Sequence, residues 1–80
     1  MNKEDVFEEC IRVSLSRYLN DLGDSEPHDM LKMVMLCVEK PVIEVALEKT
    51  GNNQSKASEI LGITRSTLRK KLLAHNILQN

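Results

Sequence analysis

Asn53–Leu72 reads NQSKASEILGITRSTLRKKL, two short apolar-periodic stretches on either side of a glycine. The first, about residues 54–61, has Ala57, Ile60 and Leu61 spaced for the inner side of a helix. Gly62 permits a tight reversal, Ile63 is an apolar anchor, and Thr64 is a natural N-cap for a last helix over about 65–74. Two short helices joined by a glycine-containing turn of three to four residues form the helix-turn-helix pattern. Its packing needs a small residue four before the turn glycine, and Ser58 fills that slot. Ile63, Leu68, Leu61 and Leu72 supply a small core for the pair.

The second helix divides by face. Leu68 and Leu72 lie one turn apart and point inward, which turns Arg65, Ser66, Arg69, Lys70 and Leu73 outward. A helix in the major groove reads bases chiefly from its N-terminal residues, while flanking groups engage phosphates. Arg65, in the first turn, is therefore the candidate for bidentate contact with guanine. Thr64, Thr67, Arg69 and Lys70 are candidates for phosphate or flanking contacts, and Asn53 and Ser55 suit phosphates at the start of the first helix. The bland alternative is a solvated basic face that touches nothing. Turn, cap and basic face coincide within one stretch, which favours the reading head.

Upstream, TGNNQ turns the chain, with Gly51 at a helix C-cap and Asn52 and Asn53 suited to left-handed backbone or to capping the next helix. Before it, a helix is expected from about 27 to 49, started by DSEP, with Asp24 or Ser25 as cap and Pro27 in the first turn. Pro41 lies well inside and predicts a kink; a break into two shorter helices is the alternative. Met30–Val38 is MLKMVMLCV, apolar at eight of nine positions, so every face of that segment is greasy. An 80-residue chain cannot easily surround such a segment. A two-fold dimer with an intertwined helical core is the simplest solution, against a monomer with a large exposed patch. Adaptable core filling accounts for Met30, Met33 and Met35 better than a cofactor pocket does. The first helix, about 4–22, carries Phe7, Cys10, Ile11, Leu15, Tyr18, Leu19 and Leu22 at three- and four-residue steps and stops at Gly23.

The formal net charge is −1, but its distribution is uneven. Residues 1–48 hold five Lys/Arg against eleven Asp/Glu, whereas residues 49–80 hold six Lys/Arg and one acid, Glu59. A basic C-terminal part in a near-neutral chain points to a polyanion or an acidic surface as partner. Cys10 and Cys37 lie far apart, without metal-ligand spacing, and are expected to behave as small core hydrophobes in a reducing cytoplasm. No apolar run approaches the roughly 18 residues of a membrane span, and the acidic start is unlike a signal peptide. Neither cofactor nor metal is expected. No nucleophile–base pair or phosphate loop suggests an enzyme.

The segment EKPVIEVALEKTGNNQSKASEILGITRSTLRKKL closely resembles the C-terminal part of the Fis (factor for inversion stimulation) family of bacterial nucleoid-associated proteins. Its specific pieces are the proline inside the long helix, the Asn53-Gln54 lead-in and the Thr67–Leu72 run; the match extends more weakly through Tyr18-Leu19. The resemblance implies an all-α homodimer of one domain over residues 1–80. Four helices per protomer are expected. The two longer ones, about 4–50, form an intertwined dimeric four-helix core, and a helix-turn-helix follows at about 53–74. It further implies two reading heads spaced closer than one DNA turn, so that binding bends double-stranded DNA and favours A/T-rich centres. By matching position, Asn53, Ser55, Thr64, Arg65, Thr67, Arg69 and Lys70 fall on the family's DNA-contacting residues, with Arg65 on its guanine reader.

Some positions depart from the family pattern. Asn52 replaces a usual glycine, Thr64 an asparagine, and Leu73 and Ala74 replace basic residues. Weaker affinity, flatter salt dependence and relaxed sequence choice are expected. With the first helix starting almost at Met1, the β-hairpin arm that touches a recombinase in other members is not expected, nor is recombinase contact. The function expected is a DNA-binding, DNA-bending transcription and nucleoid regulator in the cytoplasm. The alternative is a dimerisation module whose basic helix docks on an acidic protein surface.

Overall fold

A computed structural model describes residues 2–77. Among them are four helices and no strand: α1 (Lys3–Leu22), α2 (Met30–Lys49), α3 (Gln54–Leu61) and α4 (Arg65–Ala74). The chain is all-α and ends in a helix-turn-helix. Within the described residues it divides after Met30 into two compact units.

In the first unit, Asn2 caps α1, its Oδ1 accepting the Asp5 N–H at 2.9 Å, and Glu4 and Asp5 place negative charge at the positive helix end. Gly23 stops the helix at φ 63°, ψ −121°, a conformation open to glycine but costly for a residue with a Cβ. No residue of α1 is buried. Phe7, Ile11, Tyr18 and Leu19 form the expected apolar stripe, yet all are exposed on the single chain, Phe7 by 68%.

The connection to α2 differs from expectation. DSEP does not start the helix: the Ser25 N–H donates back to the Leu22 carbonyl at 3.2 Å, finishing the turn after α1. Asp29 then adopts φ 48°, outside helical space, and α2 begins only at Met30. The local hydrogen bond and the left-handed residue outweigh the proline signal, shortening α2 by one turn at its start. From Met30 the helix is continuous to Lys49, with Pro41 inside it and no break into two.

The second unit is built on the C-terminal half of α2. Ile43, Ala46 and Leu47 pack with Ala57 of α3 and with Leu68 and Leu72 of α4, while Leu61, Ile63 and Ile77 close the margins. Leu68 is wholly buried, worth about 1.5–3 kcal/mol relative to exposure. Ile60, expected inside, is 59% exposed. Ala57, Ser58 and Leu61 occupy the inner face of α3, and Ile60 lies roughly a third of a turn round from it.

Three helix ends in this unit share one device. After α2 the Gly51 and Asn52 N–H groups donate to the carbonyls of Glu48 and Leu47; after α3 those of Gly62 and Ile63 donate to Glu59 and Ser58; after α4 those of Asn76 and Ile77 donate to Leu73 and Leu72. Each end turns on a left-handed residue, Gly51, Gly62 or Asn76, and so satisfies carbonyls that would otherwise be unpaired. The expected burial of the two cysteines does not hold on the single chain: Cys10 and Cys37 are both exposed. Cys37 faces Met33 one turn earlier, Sγ to Sδ 3.8 Å.

Candidate nucleic-acid interface

The turn before α3 is held by side chains. Asn53 caps α3, its Oδ1 accepting the Lys56 N–H at 3.0 Å, and its own N–H donates to the Thr50 carbonyl at 3.2 Å. The Thr50 hydroxyl lies within 3.3 Å of the Asn53 carbonyl and closer still, 3.0 Å, to that of Ala46, tying the loop to the end of α2. Asn53 and Ser55 therefore sit at the positive N-terminal end of α3. Asn53 keeps its side-chain amide N–H groups for other partners, because capping uses only the oxygen.

Ser58 is buried, and its hydroxyl donates to the Ser55 carbonyl at 2.7 Å, so the close helix approach leaves no polar group unpaired. Left-handed Gly62 (φ 74°, ψ 30°) reverses the chain. Thr64 then caps α4, accepting the Thr67 N–H at 3.1 Å. The Thr64 hydroxyl also donates to the Thr67 hydroxyl oxygen at 2.8 Å, which leaves the Thr67 proton to be donated elsewhere.

Along α4, with Leu68 and Leu72 fully inward, Arg65, Arg69 and Lys70 are exposed and Thr67 is half-buried at the edge. Arg65 and Arg69, four apart, share one face. The structure thus brings Thr64, Arg65, Thr67, Arg69 and Lys70 onto one short helix, and places Asn53 and Ser55 at the start of the helix before it.

One part of this region escaped sequence reading. Lys71, counted with the basic run, turns back to α2: its Nζ donates to Glu39 Oε2 at 2.9 Å. The His75 side chain, just after α4, is only 11% exposed, and its Nε2 lies 2.7 Å from Glu39 Oε1. The Lys71 hydrogen bond first, and the His75 one second, hold the Glu39 carboxyl below the usual carboxylate range against a modest desolvation. The partners lie 32 and 36 residues from Glu39 in sequence, so no local period signals them. The one available hint was that Glu39 shares a helical face with Ile43 and Ala46.

Among the described residues no group of three or more His, Cys, Asp or Glu side chains could hold a metal ion. No helix there is long and apolar enough to cross a membrane.

Comparison with known proteins gives a consistent result. The model of the family described as "Bacterial regulatory protein, Fis family" matches residues 37–75, the stretch that contains both Glu39 and His75 as well as the whole helix-turn-helix. A Fis-like DNA-binding protein of Neisseria meningitidis is 49% identical over 70 residues, covering 88% of this chain and 89% of that protein. One from Ralstonia nicotianae is 46% identical over 72 residues, covering 90% and 94%. The DNA-binding protein Fis of Aliivibrio fischeri is 39% identical over 64 residues, covering 80% of this chain and 65% of that protein. With near-full-length relatives at this identity, and a helix-turn-helix whose caps, turn and core all fall inside the matched segment, the chain belongs to the Fis family of bacterial regulatory proteins.

Proposed function

We propose that this chain is a homodimeric DNA-binding and DNA-bending protein, a nucleoid-associated transcriptional regulator of degenerate, A/T-centred sites. The observation that carries the reading is α4: a capped helix whose inner face is wholly buried and whose outer face presents Arg65, Arg69 and Lys70. The DNA-binding names of its relatives support it. In this reading Arg65 contacts guanine in the major groove. Asn53, Ser55, Thr64, Thr67, Arg69 and Lys70 engage phosphates and flanking groups. Cytoplasmic placement on the nucleoid follows from that partner, and all 80 residues act as one domain.

Dimerisation is supported by apolar side chains that the single chain leaves in water: Phe7 and Ile11 on α1, Leu31, Met35 and Leu36 on the first half of α2, with Leu31 76% exposed. Exposed apolar surface of this kind marks an association face. Two reading heads in one dimer, closer than a DNA turn, would engage a duplex together only if it bends, which makes specificity depend on deformability.

Anisotropy of a mixed-sequence, A/T-centred duplex across a salt series tests the reading. Binding should weaken as salt rises, with a flatter slope than basic residues at positions 73 and 74 would give. Arg65→Ala should lower preference between sequences, whereas Lys70→Ala should weaken all sequences alike and reduce the salt slope by about 1. Absence of association even at low salt would sink the DNA reading and leave the basic helix as a dock for an acidic protein surface. Equal losses for both variants on every duplex would refute the assigned roles.

A further inference from the structure

Three polar side chains join α2 to the far end of α4, and the place where they do so matters more than their number. The apolar contacts of α2 in this unit, Ile43, Ala46 and Leu47, all follow Pro41. Glu39 precedes it. Pro41 has no N–H to donate to the Cys37 carbonyl, so the helix is weakest between its two halves. The hydrophobic core alone holds the helix-turn-helix only to the half after this point. Glu39 reaches across to Lys71 at 2.9 Å and His75 at 2.7 Å, so α4 grips α2 on both sides of the proline.

The end of α4 that makes this contact is itself well fixed. The His75 N–H donates to the Lys71 carbonyl at 2.9 Å, the Ile77 N–H to Leu72 at 2.9 Å, and Ile77 packs on the core. The ion pair, by contrast, has each side chain about one-third exposed (34% and 31%), a setting in which such pairs add little to global stability. A bond of small stabilising effect, placed across the weakest point of a helix and anchored on a rigid end, acts chiefly on geometry.

We propose that Glu39 is a positioning residue: through Lys71 and His75 it locks the reading helix to the segment of α2 before Pro41, and so fixes the angle between the reading head and the apolar Met30–Val38 surface. This rests on the dimeric DNA-binding reading given above. In a dimer formed through that surface, the angle sets the separation of the two reading helices. Losing it should blur discrimination between half-site spacings without removing any DNA contact.

The test uses the full chain and the duplex that the wild-type protein selects from a randomised pool. Copies of that duplex are made with the central A/T segment one base pair longer or shorter. The readout is the ratio of affinities for the selected and altered spacings, which cancels any uniform gain or loss of charge. Glu39→Ala should lower this ratio about five- to tenfold, the range of a single coupling contact, while sedimentation still shows a dimer. Glu39→Gln, which keeps an acceptor for Lys71, should retain most of the ratio. The exchange Glu39→Lys with Lys71→Glu should recover part of it, which a merely structural loss would not allow.

An unchanged ratio in Glu39→Ala overturns the proposal. So does an equal change in affinity for all three duplexes, which would make Glu39 a mask over Lys71 and His75. Should Glu39→Ala fail to fold, the exchange variant decides: a folded dimer with no spacing preference overturns the proposal, and a restored preference supports it. A wild-type protein that binds no duplex, or binds as a monomer, fails at the earlier reading and takes this one with it.

Discussion

The two units of the chain are built on opposite terms. Residues 31–77 bury Ile43, Ala46, Leu47, Ala57, Leu68 and Leu72 around one core, and three of their helix ends close on left-handed residues. In the first unit α1 is as regular a helix, capped by Asn2, yet it buries nothing. Local signals make both helical. Only the second unit has a core within one chain, built by the second half of α2 with α3 and α4, whereas α1, like Leu31, Met35 and Leu36 on the first half of α2, leaves its large apolar side chains exposed. Isolated helices owe little of their stability to propensity and most of it to packing of an apolar face, so α1 should depend on association while the helix-turn-helix should not.

The largest effect that would sharpen this contrast is at Leu68. Leu68→Ala empties a fully buried site and should cost about 2–5 kcal/mol, read as a lower urea midpoint by circular dichroism, with little dependence on protein concentration. Phe7→Ala should behave in the opposite way. On one chain Phe7 is mostly exposed, so the variant should weaken self-association about tenfold, and unfolding should become more concentration-dependent. If Phe7→Ala changes neither, the apolar stripe of α1 has no partner and the contrast loses its meaning.

A smaller effect belongs to the cap of the reading helix. Thr64→Ala removes the acceptor for the Thr67 N–H and should cost about 1 kcal/mol, measurable as a lower thermal midpoint and faster amide exchange in the first turn of α4. The smallest concerns pH. Glu39 has a native pKa below its unfolded value, so its contribution is present above the ordinary carboxylate range and is lost as pH falls through the lowered native value. Acid titration of stability should therefore be slightly steeper in the wild type than in Glu39→Gln. Partial exposure of the pair keeps the difference small. Identical acid profiles would show that Glu39 gains nothing from its partners.

Much of the fold was legible because its signals are local. Capping by Asn53 and Thr64, reversal at Gly62 and inward-facing Leu68 and Leu72 each depend on residues within about one turn, and each was readable from spacing alone. Local signals also misled where two competed. At DSEP the proline favoured a helix start, but the bond from Ser25 back to Leu22 and the left-handed Asp29 delayed it to Met30. Ile60 misled because a short helix has room for only one packed face, and hydrophobicity does not say which residues occupy it.

By itself, then, the sequence determined four helices, their stops, and a basic face on the last one, because backbone hydrogen bonding and side-chain periodicity act over three or four residues. Tertiary structure decided which charges face outward. Lys71 is indistinguishable from Lys70 in the run RKK, yet the turn at Gly62 and the burial of Leu68 and Leu72 rotate it toward α2, where Glu39 meets it across 32 residues of chain. No local rule can register such a pair, since its two halves become neighbours only after the core between α2, α3 and α4 has formed.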